Sequence, residues 1–126
     1  MKILVVDDSA TVRMFYRSAL AAFPTGIDEA PDGEKALAMA LTQDYGLYIV
    51  DVNMSNMDGL TFVRALRARH DVMQSPVIMI STQSREQDAT LAWQAGANLY
   101  LKKPVAKETL QYYVSAMTSR RAKDEQ

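Results

Sequence analysis

Ile3-Leu4-Val5-Val6-Asp7-Asp8-Ser9 decides the fold: four consecutive β-favouring apolar residues end abruptly on two carboxylates and a hydroxyl. A short continuous apolar run of this kind predicts a strand buried on both faces, as in a parallel sheet. Ser9 is placed to cap a helix, and Val12, Tyr16 and Leu20 recur behind it at helical spacing. The same unit then repeats along the chain. Phe23-Pro24-Thr25-Gly26 stops the first helix, a weak strand covers 27–30, and Pro31-Asp32-Gly33 opens a helix carrying Ala36, Leu37, Ala40 and Leu41. Tyr45-Gly46 ends that helix, and Leu47-Tyr48-Ile49-Val50 reads as another buried strand. Asp58-Gly59 is turn chemistry before a third helix with Leu60, Phe62, Val63 and Leu66. Pro76 introduces the strand Val77-Ile78-Met79-Ile80, and a fourth helix over 85–95 is stopped by Gly96. Leu99-Tyr100-Leu101 is a fifth short strand, and a last helix carries Leu110, Tyr113, Val114 and Met117.

Five strand–helix pairs in strict alternation predict an α/β fold, a parallel sheet with helices on both faces and right-handed crossovers. Five units are too few for an eight-stranded barrel, so the sheet is expected to be open and doubly wound. A chain of 126 residues holds one such domain, expected over 1–118. Residues 119–126 lack an apolar face and read as a frayed helix end or a polar C-terminal tail.

Composition narrows the function. The net charge of −1 supplies no basic excess for nucleic acid. No cysteine is present, which excludes disulfides and thiolate metal sites. The single histidine, His70, sits in a polar run and is expected at the surface. No apolar stretch approaches the roughly 20 residues of a membrane span. Met1-Lys2 leads straight into the first strand without a signal peptide, so the expected location is cytoplasmic.

In an open α/β sheet, ligands bind beyond the carboxyl ends of the strands, where the strand order reverses. Those ends carry Asp7-Asp8, then Asp51, then Ser81-Thr82, then Lys102-Lys103-Pro104. Taken singly, each has an ordinary explanation: aspartates cap helices, Ser-Thr makes turns, and most lysines are solvated. Their recurrence at the same end of successive strands favours a site. Crowded carboxylates repel one another unless a cation joins them. Mg²⁺ suits a site with few protein oxygens and several retained waters. Lys103 adds a positive charge for Asp51 or for a phosphoryl oxygen. Such an arrangement is suited to receiving a phosphoryl group on an aspartate oxygen, with Ser81 hydrogen-bonding the product.

These residues resemble the receiver domains of two-component response regulators, particularly the single-domain chemotaxis type. The resemblance rests on Val5-Val6-Asp7-Asp8-Ser9, on the run from Glu29 to Leu37 and on Asp51-Val52-Asn53-Met54. Met57-Asp58-Gly59-Leu60, Val77-Ile78-Met79-Ile80-Ser81, Ala95-Gly96-Ala97 and Lys103-Pro104 extend it from Ile3 to about Met117. It implies a flavodoxin-like strand order, 2-1-3-4-5, with five helices. It further implies that Asp51 is the phosphoacceptor, with Asp8 a direct Mg²⁺ ligand and Asp7 a second acid acting through metal-bound water. Asn53 would lend its backbone carbonyl to the metal, Ser81 would be the switch hydroxyl and Lys103 the paired lysine. Tyr100 stands at an aromatic position whose side chain turns inward on activation. The implied donors are the phosphohistidine of a sensor histidine kinase or small acyl phosphates, and the output is a protein target of a monomeric switch. On this reading the protein catalyses only its own phosphorylation and dephosphorylation.

Three positions depart from the family pattern. Ser55 replaces a common proline, Thr82 a common alanine or glycine beside the phosphoryl approach, and Val105 a frequent aromatic. They bear on rates and loop stiffness and remove no chemical group. Alternatives are a receiver within a larger regulator, a phosphate sink and a relay carrier. A haloacid-dehalogenase-type phosphohydrolase is disfavoured because the first strand ends Asp7-Asp8 rather than Asp-x-Asp. A flavin carrier is disfavoured because no hydroxyl-rich phosphate loop follows that strand. On the fourth helix, Leu91, Ala92 and Ala95 are expected to be buried, leaving Trp93 exposed near Tyr100 as the partner face.

Overall fold

Side chains alternate across a strand, and this alternation decides where the helices go. Leu4 and Val6 of β1 (Lys2–Val6), Tyr48 and Val50 of β3 (Leu47–Asp51) and Val77 and Met79 of β4 (Val77–Ser81) share one core. That core is closed by α2 (Gly33–Ala40), α3 (Gly59–Ala68) and α4 (Glu86–Ala95). Ile3, Val5, Leu47, Ile49, Ile78 and Ile80 point the other way, onto α1 (Ala10–Ala19) and α5 (Lys107–Asp124). With β2 (Gly26–Ala30) and β5 (Leu99–Lys102) at the edges, the sheet is parallel throughout, in the order β2-β1-β3-β4-β5. The computed structural model describes residues 1–83 and 85–124, with side chains described as far as Thr118.

The helix ends are fixed by the residues that the sequence pattern singles out. The side chains of Ser9, Asp32 and Asp58 accept from the backbone N–H groups of Val12, Lys35 and Thr61. Such caps satisfy donors that the first turn leaves orphaned. Gly96 ends α4 at φ 116°, a left-handed conformation that favours glycine, and a Cβ there would also meet the Arg67 side chain at 2.5 Å. Gly59 allows a close approach: a Cβ would lie 2.2 Å from the Asp51 carbonyl oxygen. Only a glycine lets α3 begin directly against the end of β3.

One expectation needs adjustment. Leu91 is 42% exposed, whereas Ala92 and Ala95 are buried. At about 100° per residue, the stripe through Ala92 and Ala95 turns Leu91 off the sheet, so α4 is held by alanines alone. At the carboxyl end, the backbone of α5 runs to Asp124. The side chains from Ser119 onward, and all of Glu125 and Gln126, lie outside the described residues. His70 is exposed, as expected.

Register then builds the site. Val6 pairs with Val50, Asp51 with Ile80, and Ser81 with Lys102. The residues at and just beyond these ends, Asp7, Asp8, Asp51, Ser81 and Lys103, therefore share one edge of the sheet, at the β1–β3 boundary where the order reverses.

Candidate functional site

Asp7 and Asp51 are buried and Asp8 is exposed, and each offers a carboxylate oxygen within 4.8 Å of the others. The Lys103 ammonium lies 3.1 Å from Asp7 Oδ2 and 3.2 Å from Asp51 Oδ1, bridging the two buried acids. Burial pushes the Asp51 carboxyl above its ordinary range, and the Asp7 charge adds to the rise. Lys103 and the Asn53 backbone N–H oppose this without cancelling it. Burial alone would pull the Lys103 ammonium down, but the two aspartates outweigh it and hold it above its usual value. The cluster thus retains negative charge that one lysine does not offset. Its all-oxygen donor set fits a small hard cation such as Mg²⁺.

Asp7 is held from several directions. Its carboxylate accepts the Ser9 backbone N–H at 2.9 Å, and its backbone carbonyl accepts from the Arg13 guanidinium. Arg13 is in turn fixed by Glu29 at 2.9 Å, and the second Glu29 oxygen takes Arg17 at 2.9 Å. Burial would raise the Glu29 carboxyl, but the two arginines more than reverse this and hold it below the usual range. Sequence reasoning missed this clamp. Arg13 is one helical turn beyond Ser9, the only hint that it points back at the strand end.

Tyr16, read from the sequence as simple core, lies 4% exposed within the field of the cluster. Burial, followed by the charges of Asp7 and Asp51, holds its hydroxyl protonated far above the ordinary tyrosine value.

Across the site, Ser81 is fully buried. Its Oγ accepts from the Gln83 backbone N–H at 3.1 Å and from Asn53 Nδ2 at 3.4 Å, leaving its own proton uncommitted among the described residues. The Gln83 carbonyl accepts the Tyr100 hydroxyl at 2.6 Å. One residue, Gln83, therefore links Ser81 to Tyr100 through its N–H and its carbonyl, and Tyr100 is half-buried and packs against the first core. Trp93 is 67% exposed, in agreement with the expectation, and Thr82 is exposed beside the site. The Asn53 side chain, not foreseen as a contact, reaches Ser81.

An acid cluster with a bridging lysine at the switch point of a doubly wound sheet has the chemistry to hold a small hard cation and to receive a phosphoryl group. Comparison with known proteins agrees. The chain belongs to the response regulator receiver domain family, whose model matches residues 3–115. It is 35% identical over 111 residues to chemotaxis protein CheY-3 of Vibrio cholerae, covering 87% of this chain and 85% of that protein. It is 33% identical over 121 residues to chemotaxis protein CheY of Pseudomonas aeruginosa, covering 95% and 98%. The solved structure of CheY4 from V. cholerae superposes with a TM-score of 0.85 at 32% identity, over 92% of this chain and 97% of that one. The chain is thus a CheY-like receiver, a signalling switch of a family in which a histidine kinase phosphorylates an aspartate and the receiver acts on protein targets. Receiver domains bind Mg²⁺ at an acidic pocket, and this chain brings Asp7, Asp8 and Asp51 together in a group that could hold such an ion.

Proposed function

We propose that Asp51 is the phosphoryl acceptor and that the arriving charge is relayed to the α4–β5 face through Ser81, Gln83 and Tyr100. The observation that carries this reading is the Lys103 bridge between Asp7 and Asp51, beside the buried Ser81. An Asp51 oxygen forms a bond to phosphorus as the bond to the donor's imidazole nitrogen or acyl oxygen breaks, and the leaving group keeps the electron pair. Asp8, Asp7, Asp51 and the Asn53 backbone carbonyl would hold Mg²⁺, which when bound offsets charge on the phosphoryl oxygens. Asp8 is the freest of the carboxylates to ligate, because Asp7 already accepts from Ser9 and Lys103. Lys103 pairs with the phosphoryl oxygens, and the uncommitted Ser81 hydroxyl donates to one of them.

The signal follows from connectivity. Drawing Ser81 towards the phosphoryl group moves the Gln83 backbone and with it the partner of the Tyr100 hydroxyl. Tyr100 and Trp93 form the face that a protein target reads, stabilising one of two existing states. The chain acts as a monomer in the cytoplasm, takes its phosphoryl group from a sensor histidine kinase and turns over only its own acyl phosphate. Among the described residues, no helix is long and apolar enough to cross a membrane. Intact-mass analysis with an acyl-phosphate donor and Mg²⁺ tests the acceptor. Wild type should gain one phosphoryl group and Asp51→Asn none; equal labelling of the two would sink the assignment.

A further inference from the structure

A recess of about 340 Å³ opens beside the acid cluster, between α1 and the connection from β5 to α5. Val12, Phe15 and Tyr16 form its α1 wall, and Val105 with Pro104 the opposite one. Lys103 and Thr82 line it as well. Lys103 also places its ammonium on Asp7 and Asp51, so recess and charged site share a wall. Long basic side chains commonly divide themselves in this way, with an apolar stem against apolar surface and a charged head elsewhere.

Apart from Lys103 and the hydroxyl-bearing Thr11, Tyr16 and Thr82, the lining is apolar, and it carries no negative charge. The Phe15 ring meets Tyr16 edge-on at 5.7 Å and is 42% exposed, so it borders the recess without filling it. Val105 is partly buried and too short to fill it from the other side. Tyr16 stays protonated, held so by burial and by the two aspartates. A ligand that suits both compartments has an anionic phosphoryl head for the lysine and a short apolar body for the recess.

We propose that this recess receives the acyl chain of an acyl phosphate, so that the protein prefers donors with chains longer than acetyl. The inference rests on the assignment of Asp51 as acceptor. In the step itself, an Asp51 oxygen bonds to phosphorus while the bond from phosphorus to the acyl oxygen breaks. The fatty carboxylate departs with the electron pair, and no proton changes place. The chain is bound alike before and during the transfer, so its contribution appears in the second-order rate constant rather than at saturation.

Each methylene removed from water contributes about fourfold. Butyryl phosphate, two methylenes longer than acetyl phosphate, should therefore label Asp51 roughly fifteenfold faster at equal, subsaturating concentration. The rise should stop once the chain outgrows the recess.

Time-resolved intact-mass measurement with Mg²⁺ and acetyl, butyryl and hexanoyl phosphate tests this on the wild-type chain. Val105→Trp, introduced at a partly exposed position, should fill the recess and bring the butyryl-to-acetyl ratio close to one. Equal rates for the three donors in wild type would overturn the proposal while leaving Asp51 as acceptor. Labelling by none of them would instead overturn the acceptor assignment. An unchanged ratio in a Val105→Trp protein with native circular dichroism would place the selectivity outside the recess and overturn it too.

Discussion

The two flanks of the acid cluster are built differently. On the β1–α1 flank, Asp7 is held through its carboxylate by Ser9 and Lys103 and through its backbone by Arg13, which Glu29 fixes in turn. On the β4–α4–β5 flank, Ser81 and Tyr100 are linked through the backbone of Gln83, and Thr82 and Gln83 are exposed. The helices repeat the contrast. On the core that they share, α3 buries Phe62, Val63 and Leu66, whereas α4 buries Ala92 and Ala95 and leaves Leu91 and Trp93 to solvent. A segment with little buried apolar surface opens at low free-energy cost. The charge site is thus held firmly on one side, while the side that must respond is only lightly anchored.

Stability should expose this difference most strongly. Phe62→Ala in α3 is expected to cost about 3–5 kcal/mol in urea unfolding, by loss of burial and creation of a cavity. Leu91→Ala in α4 should cost no more than about 0.5 kcal/mol. Comparable losses would erase the contrast between the helices.

Metal affinity comes next. Asp7→Ala should weaken Mg²⁺ binding about tenfold, as expected for a group that acts through a ligand's partner. Asp8→Ala should weaken it further, because a direct ligand is lost. Titration giving equal affinities would mean that the two aspartates share the metal alike.

A smaller effect follows from the electrostatics of Asp51. Its carboxyl ionises at higher pH in the folded chain than its ordinary value of 3.8. The stability it contributes is therefore full below that value and is lost as pH rises through the folded value. At pH 7 the ionised group is a cost, so Asp51→Asn should melt higher than wild type in Mg²⁺-free buffer. The gap should narrow as the buffer is taken to acid pH. An asparagine variant that melts lower at pH 7 would show that Lys103 overcompensates the cluster. The mildest effect is expected at Thr82, whose exposed side chain stands beside the site without a charge. Thr82→Ala should alter the lifetime of the phosphoryl group by less than tenfold and leave labelling intact. Identical decay by intact mass would show that the side chain has no bearing on the approach to phosphorus.

Most of the fold was legible because buried strands announce themselves. Runs such as Leu47-Tyr48-Ile49-Val50 have one stable solution in an alternating chain, and the caps at Ser9, Asp32 and Asp58 mark helix starts by their chemistry. The acids, Ser81 and Lys103 were legible for the same reason, since each follows a strand directly. Leu91 was misplaced because alanines and a leucine at neighbouring positions do not reveal which of them the sheet selects. Arg13 escaped because its guanidinium reaches the backbone carbonyl of Asp7, and Gln83 because it acts through its own backbone; backbone partners leave no trace in residue type. Tyr16 was recognised as core, but helical periodicity does not show that the core position adjoins the acid cluster.

The emission of Trp93 tests most directly whether charge received at Asp51 reaches the lightly anchored flank. Trp93 is the chain's single tryptophan and is 67% exposed on α4. With acyl phosphate and Mg²⁺, emission should shift as Asp51 becomes labelled and return as the phosphoryl group is lost, with no shift in Asp51→Asn. A fully labelled wild type whose Trp93 emission stays unchanged would contradict the proposed relay.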